Sequence, residues 1–351
     1  MSDMLVRVSR GGHPECYHRG SIAVVNDRGT LLDHVGDPEF STFLRSCAKP
    51  LQALPVLESG AAERFGFTPA ELACMCGSLN GQDYQVQAVS SILGKIGLSE
   101  DHLQCGVHAP SHRATARQLE EDGKKPRPIH NNCAGKHAAM LALCMFYGWP
   151  TETYPKIENA VQQLILEKIS QMTEVARGEI QIGIDGCGVP VFAVPLRNLA
   201  LAFAKLAITP NPDGTAADRR QAVQRLIKAA LDHPEMIAGD ERICTDVMRA
   251  APGRVFAKTG AEGSYGLSLI GKGVGIAIKI EDGNPRALNP TVVEVLRQYG
   301  VLSADDLRRL QPYGPQSYIR NHRKEQVGKI EPIFQMRNGS PPSLAGDRRV
   351  T

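Results

Sequence analysis

Two glycine-punctuated pairs of apolar strands lie near opposite ends of this 351-residue chain, and they limit its possible folds more than any other feature. Residues 21–35, SIAVVNDRGTLLDHV, read as a hairpin in which two apolar runs flank the turn formers Asn26-Asp27-Arg28-Gly29. Far downstream, SYGLSLI (264–270) and VGIAIKI (274–280) flank Gly271-Lys272-Gly273 in the same way. A lone hairpin is at best marginally stable in water. The economical packing joins both pairs in one antiparallel sheet, with helices over its faces.

Between the hairpins the apolar period turns helical. One helical segment starts near residue 47, with LQALPVL as its apolar part, and another covers 85–96. CAGKHAAMLALCMFY (133–147) is apolar on most faces after its first turn, the mark of a buried helix, with Asn132 as N-cap and Gly148 as stop. An amphipathic helix spans about 156–172, where Ile157, Val161, Leu164, Ile165 and Ile169 share one face; another spans about 215–231. Residues 101–130 read as loops around one short helix, and a last helix runs from about Pro290 to Tyr299. The expected class is α+β, with a sheet built from both ends and a helical middle at about 47–250. Residues 1–336 form one unit, and 337–351, rich in Arg, Pro, Gly and Ser, form a mobile tail.

Charge narrows the partners. Forty Lys and Arg against 37 Asp and Glu leave +3, too little to attract nucleic acid or a membrane surface by a global field. No apolar run reaches the ~18 residues of a membrane span. The opening MSDMLVRVSRGG lacks the apolar core of a secretory signal, so the cytoplasm is the expected site of action. Nine cysteines, an odd number, fit thiols in a reducing compartment better than a disulfide framework.

Three short motifs carry chemistry. Ser46-Cys47-Ala48-Lys49 is an S-x-x-K, in which a lysine on the same helix face can take the proton of a poorly nucleophilic serine. Pro50 biases Lys49 away from helical dihedrals, which places the motif in a first turn or a bend. Ser78-Leu79-Asn80 is an S-x-N, and Lys258-Thr259-Gly260 a K-T-G before the late hairpin. In this order they resemble the set of serine β-lactamases and penicillin-binding proteins. The reading is of two Ser–Lys dyads, Ser46 with Lys49 as nucleophile and base, and Ser78 with Lys258 to relay the proton to the leaving group or to hold the substrate. Two ammonium groups kept close repel, so one gives up its proton. Backbone N–H groups beside Ser46 are candidates to hold an oxyanion. Cys47 is a weaker candidate nucleophile, since its thiol should face away from Lys49.

A second cluster stands apart from those motifs. HNNCAGKH (130–137) sets Cys133, Lys136 and His137 at the start of the buried helix, and IDGCGVP (184–190) sets Asp185 and Cys187 in a glycine-flanked turn. Paired thiolates suit zinc, although no C-x-x-C pair is present. Two buried thiols is the simpler alternative. Lys136 shares the helix face of Cys133, and His137 does not.

RSCAKPLQALP, CGSLNGQ, HNNCAGKHAAML, DGCGVPVFAVPL and AKTGAEGSYG together resemble the Rhizobium-type L-asparaginases, the asparaginase II family, from about residue 4 to 335. The resemblance implies a serine β-lactamase-like fold, hydrolysis of L-asparagine to L-aspartate and ammonia, and a homodimer. It implies Ser46–Lys49 and Ser78–Lys258 as catalytic dyads and zinc held by Cys133, Lys136 and Cys187, with water completing the shell. Asp185 matches a residue lining the site, and Arg45, Asn80 and His137 match substrate or neighbouring contacts. On chemical grounds Arg45 could grip the α-carboxylate in bidentate fashion, while Asp185 or the metal shell holds the amino group. Two alternatives are a glutaminase or penicillin-interacting serine hydrolase, and a non-enzymatic zinc or thiol sensor that would need no Ser–Lys pairs. Glutamine differs by one methylene, a weak handle for discrimination.

Overall fold

The structure, a computed structural model, describes residues 1–207 and 218–337. The expected tail therefore lies almost wholly outside the described residues, as does the start of the helix expected from 215. Eleven strands occur among the described residues: β1 (Asp3–Arg10), β2 (His13–Asn26), β3 (Leu31–Val35), β4 (Ser41–Phe43), β5 (Gln181–Ile184), β6 (Pro190–Pro195), β7 (Val255–Thr259), β8 (Ser264–Leu269), β9 (Val274–Ile280), β10 (Ser317–Arg320) and β11 (Gln326–Pro332). The main sheet runs β10-β11-β1-β2-β9-β8-β7, with β3 also on β2. All its pairings are antiparallel.

Both expected hairpins form, and they meet. Val25 pairs with Leu31 across the first turn, where Asn26 Oδ1 accepts from the Arg28 and Thr30 amides at 3.1 and 2.9 Å. Asparagine here supplies the turn with its own side chain. The second half of β2 then pairs with β9, from Gly20 opposite Ile280 to Asn26 opposite Val274. The sheet is thus assembled from both ends of the chain with helices between, an α+β arrangement as expected. β1, β10 and β11 were not foreseen; β10 and β11 are only partly buried and weakly patterned. A small second sheet, β4-β6-β5, carries the 185–189 turn at one end.

Most helices fall where the apolar period puts them, with ends moved by local chemistry. The buried helix is Ala134–Tyr147, and Gly148 ends it at φ +72°. Its N-terminal hydrogen bond comes from Asn131, not Asn132: Asn131 Oδ1 accepts from Cys133 N at 2.8 Å. The 156–172 helix begins later, at Ala160, because Asn159 caps it through the Val161 amide. The last long helix begins earlier, at Pro285, with Asn284 as cap and Pro290 inside. The motif before Pro50 lies where expected, in a turn that leads into a helix, but Pro50 does not turn Lys49 from helical dihedrals. Lys49 is helical (φ −57°, ψ −40°) at the junction of the 3-10 turn Arg45–Ala48 with the helix Lys49–Glu58. Pro50 is tolerated there because a helix's first turn needs no donor from it.

The helix Leu196–Leu206 lies across β2, β8 and β9, and glycine makes that approach possible. A Cβ on Gly275 would lie 2.0 Å from the Ala200 carbonyl oxygen and 2.2 Å from the Ala204 amide. Both are backbone atoms and cannot swing aside. Gly275→Ala should therefore cost at least about 1–3 kcal/mol of stability. Urea unfolding of the variant beside the wild type measures it; an unchanged midpoint would contradict the packing.

Candidate functional site

Lys49 begins its helix inside the core, fully buried. Its Nζ reaches three oxygens: the Gly77 carbonyl at 2.8 Å, the Asn132 carbonyl at 2.8 Å and Ser78 Oγ at 3.2 Å. Burial lowers its pKa, and the neighbouring Lys136 charge adds to this against the pull of Cys133 and Cys187. Lys258, on β7, is equally buried and comes to the same serine, with Nζ 2.7 Å from Ser78 Oγ and 2.9 Å from the Thr259 carbonyl. Desolvation first, and then the Lys49 charge, bring Lys258 down to about 8.

The S-x-x-K, S-x-N and K-T-G motifs thus converge, with a difference in pairing. Ser78 binds both lysines, whereas no hydrogen bond joins Ser46 Oγ to Lys49 Nζ among the described residues. Ser78 is held by its backbone, its amide donating to the Ile237 carbonyl at 2.8 Å. Ser46 and Ser78 line one cleft of about 490 Å³, together with Asn132, Arg242, Thr259, Glu262 and Tyr313. Spacing offers no signal for Arg242, Glu262 or Tyr313, which tertiary packing alone brings there. Asn132 acts through its main chain: its carbonyl receives Lys49 Nζ and the Leu79 amide, and its amide donates to His108 Nε2 at 2.9 Å.

The second cluster also assembles. Donor atoms of Cys133, Asp185 and Cys187 all lie within 4.8 Å of one another. Lys136 Nζ is 3.6 Å from Asp185 Oδ2. Sulfur ligands on one tetrahedral zinc are about 3.8 Å apart, so the two thiols and the carboxylate are spaced for such an ion. Cys133 is drawn well below its usual pKa by the neighbouring Cys187 thiol first, and by the nearby Lys136 and Lys49 charges, against the effect of burial. Burial opposes the Lys136 charge, but Cys133, Cys187 and Asp185 outweigh it and keep the amine protonated. A dication among these groups would reverse that balance. Burial also raises Asp185, yet Lys136, Arg45 and the Gly186 amide hold it below the usual carboxylate range.

Arg45 belongs to this cluster rather than to the cleft lining. It takes a positive φ of 47°, uncommon away from glycine, and its Nε donates to Asp185 Oδ1 at 3.0 Å. His137 and Asn80 do not line the cleft either. His137 is buried with Nδ1 2.6 Å from the Tyr154 hydroxyl. Asn80 packs against Gly239 (φ +88°), where a Cβ would lie 2.1 Å from its Nδ2. Cys47 points its thiol at the Lys258 carbonyl, 3.3 Å away, and burial pushes that thiol up to about 12, far from a nucleophile's range.

Residues 6–332 match the family described as L-asparaginase II. None of the curated proteins compared matches the chain. Among solved structures, Mglu in its native form at 4.3 M NaCl is 13% identical with a TM-score of 0.36, over 82% of this chain and 63% of that chain. Mglu in its glutamate form is 13% identical, TM-score 0.36, over 81% and 62%. The chain thus spans less than two thirds of those two Mglu chains. A β-lactamase from Mycobacterium bovis is 14% identical, TM-score 0.31, over 80% and 94%. Likenesses this loose carry no argument about the site. No helix among the described residues is long and apolar enough to cross a membrane.

The depressed Lys258 has a consequence for stability. Its folded pKa is about 8 against an ordinary 10.5, so between those values the unfolded chain holds more proton. The burden is full below about 8 and is relieved as pH rises toward 10.5. Unfolding free energy should accordingly climb with pH across this window, and Lys258→Met should make the climb shallower. Denaturant titrations at several pH values check both; an equal slope in the two proteins would show that Lys258 is not desolvated.

Proposed function

The chain belongs to the L-asparaginase II family, and on that premise we propose that it is an amidohydrolase releasing ammonia from L-asparagine by acyl transfer to serine. The observation that carries the reading is one serine hydroxyl, Ser78, held between two buried amines in a cleft that Ser46 also lines.

The hydrogen bonds support a division of roles. A neutral amine has two N–H groups and one lone pair. The Gly77 and Asn132 carbonyls accept both hydrogens of Lys49, which turns the remaining direction toward Ser78 Oγ. Lys258, as ammonium, donates to Ser78 Oγ from the other side. Bonded on both sides, Ser78 is read as a relay. Ser46 Oγ has no protein partner among the described residues and is free to attack. It forms an ester with the amide carbon, its proton passing by way of Ser78 to the Lys49 lone pair. The C–N bond breaks, ammonia leaves with a proton handed on through Ser78 and Lys258, and water then hydrolyses the ester to L-aspartate. In an unliganded site the Ser46–Lys49 contact need not yet be tight. The 3.2 Å Lys49–Ser78 contact favours a second reading, in which Ser78 itself attacks.

Zinc completes the proposal. Cys133, Lys136 and Cys187 would hold it, with Asp185 alongside, and it would supply a fixed positive charge that anchors substrate. A cytoplasmic homodimer is part of the same reading. A glutaminase remains the nearest rival, because one methylene alone discriminates weakly.

Ser46→Ala should lower ammonia release from L-asparagine by about 10³-fold or more, and Ser78→Ala by about 10²–10⁴-fold. Mass spectrometry of the quenched enzyme should find the acyl adduct on the Ser46 peptide. An adduct on the Ser78 peptide would reverse the roles, and undiminished turnover in both variants would remove serine chemistry altogether. Glutamine assayed in parallel separates the rival.

Elemental analysis should find about one zinc per chain and little in Cys187→Ser. The metal-depleted protein should show a raised KM with kcat retained; lost kcat at unchanged KM would give the metal a chemical role instead of an anchoring one.

A further inference from the structure

An α-amino acid presents an anion and a cation on one carbon, and a selective site needs a partner for each. In L-asparagine the α-carboxylate carbon is three bonds, each about 1.5 Å, from the amide carbon. The partner of that carboxylate must therefore share the cleft with the serines.

Arg45 does not meet this condition. Its Nε is bonded to Asp185 at 3.0 Å, its Nη1 lies 3.7 Å from Glu262 Oε1, and it is not among the cleft-lining residues. Arg242 meets it on each count. It lines the cleft with Ser46 and Ser78. Among the described residues no carboxylate lies within ion-pair distance of it, and its only side-chain hydrogen bond runs from Nη1 to Ser111 Oγ at 3.3 Å. One used donor out of five leaves the guanidinium fork available.

The position of Arg242 is fixed relative to the reacting groups. Its residue leads directly into the helix Ile243–Ala250, whose Cys244 Sγ accepts the Thr259 amide at 3.1 Å. Thr259 follows Lys258 on β7, so the helix that presents the arginine is pinned to the strand that presents the lysine. The Arg242 charge is felt there, being one of the influences that lower Lys258. Glu241 and Glu262 line the same cleft, and Glu241, in no ion pair among the described residues, offers a counter-charge for an ammonium.

We propose that Arg242, rather than Arg45, receives the α-carboxylate of the substrate and so determines specificity for α-amino acid amides. The inference rests on the amidohydrolase reading. A planar fork matches a carboxylate in two parallel hydrogen bonds, which lysine reproduces only as a point charge.

Steady-state ammonia release from L-asparagine by the wild type, Arg242→Gln, Arg242→Lys and Arg45→Gln tests it, with a thermal melt of each protein to report folding. Arg242→Gln should raise KM by about 10–100-fold, as loss of a charged hydrogen bond does, with kcat within a few-fold and an unchanged melt. Arg242→Lys should recover part of the loss, and product inhibition by L-aspartate should weaken in step with KM. A KM within twofold of wild type in Arg242→Gln would overturn the assignment, as would a KM-specific loss in Arg45→Gln alone. A fall in kcat with a lowered melt would make Arg242 a structural residue and overturn it equally. Wild-type protein inert toward both asparagine and glutamine would overturn the amidohydrolase reading and this inference with it. Activity in the wild type establishes the first independently of the second.

Discussion

Two lysine amines buried within reach of one hydroxyl are the constraint around which the molecule is arranged. Each would lose several kcal/mol of hydration if it were buried as an isolated charge. The fold offsets this with main-chain carbonyls: Gly77 and Asn132 for Lys49, and Thr259 for Lys258. Those carbonyls come from three distant segments, so the amines can be satisfied only when the whole interior is in place. The Asn132 peptide shows how tightly this is coupled. It takes Lys49 at its oxygen, binds His108 at its nitrogen, and leads into Cys133 of the sulfur-rich cluster one residue later.

The two polar clusters meet through the backbone more than through side chains. Arg45 precedes Ser46, and its unusual φ turns the chain so that the serine lines the cleft while the arginine binds Asp185. Lys136 belongs to the thiol cluster, yet its charge adds to the burial that lowers the proton affinity of Lys49. Charge in one cluster therefore sets proton affinity in the other. A cation bound among Cys133, Asp185 and Cys187 would be felt by Lys49 without touching it.

What the sequence made legible follows a physical divide. Features encoded within a few residues were readable: the Asn26–Gly29 turn, the Gly148 stop, the apolar helix after Cys133, and the three motifs in their order. The family resemblance extended that to the thiol cluster. Features created by distant packing were not. The spacing of Ser46 and Lys49 argued for a bond between them, but Lys49 is drawn toward Ser78 by carbonyls that no local pattern announces. Asn80 and His137 sit within matched motifs yet point into packing, against Gly239 and Tyr154. Arg242 carries no motif at all. β10 and β11 escaped because shallow burial leaves little alternation to read.

The order of the main sheet has one more consequence. β1, β2 and β3 are made long before β9 and β11, the neighbours that complete their pairing. Until then β1, β2 and β3 can pair with one another, but the edges that β9 and β11 cover face solvent, a template for wrong partners. Completion of the sheet must wait until Val274 onward has emerged, and Lys258 arrives only shortly before that. Assembly of the sheet and completion of the reactive centre are thus one late, long-range event, and a truncated chain should acquire neither.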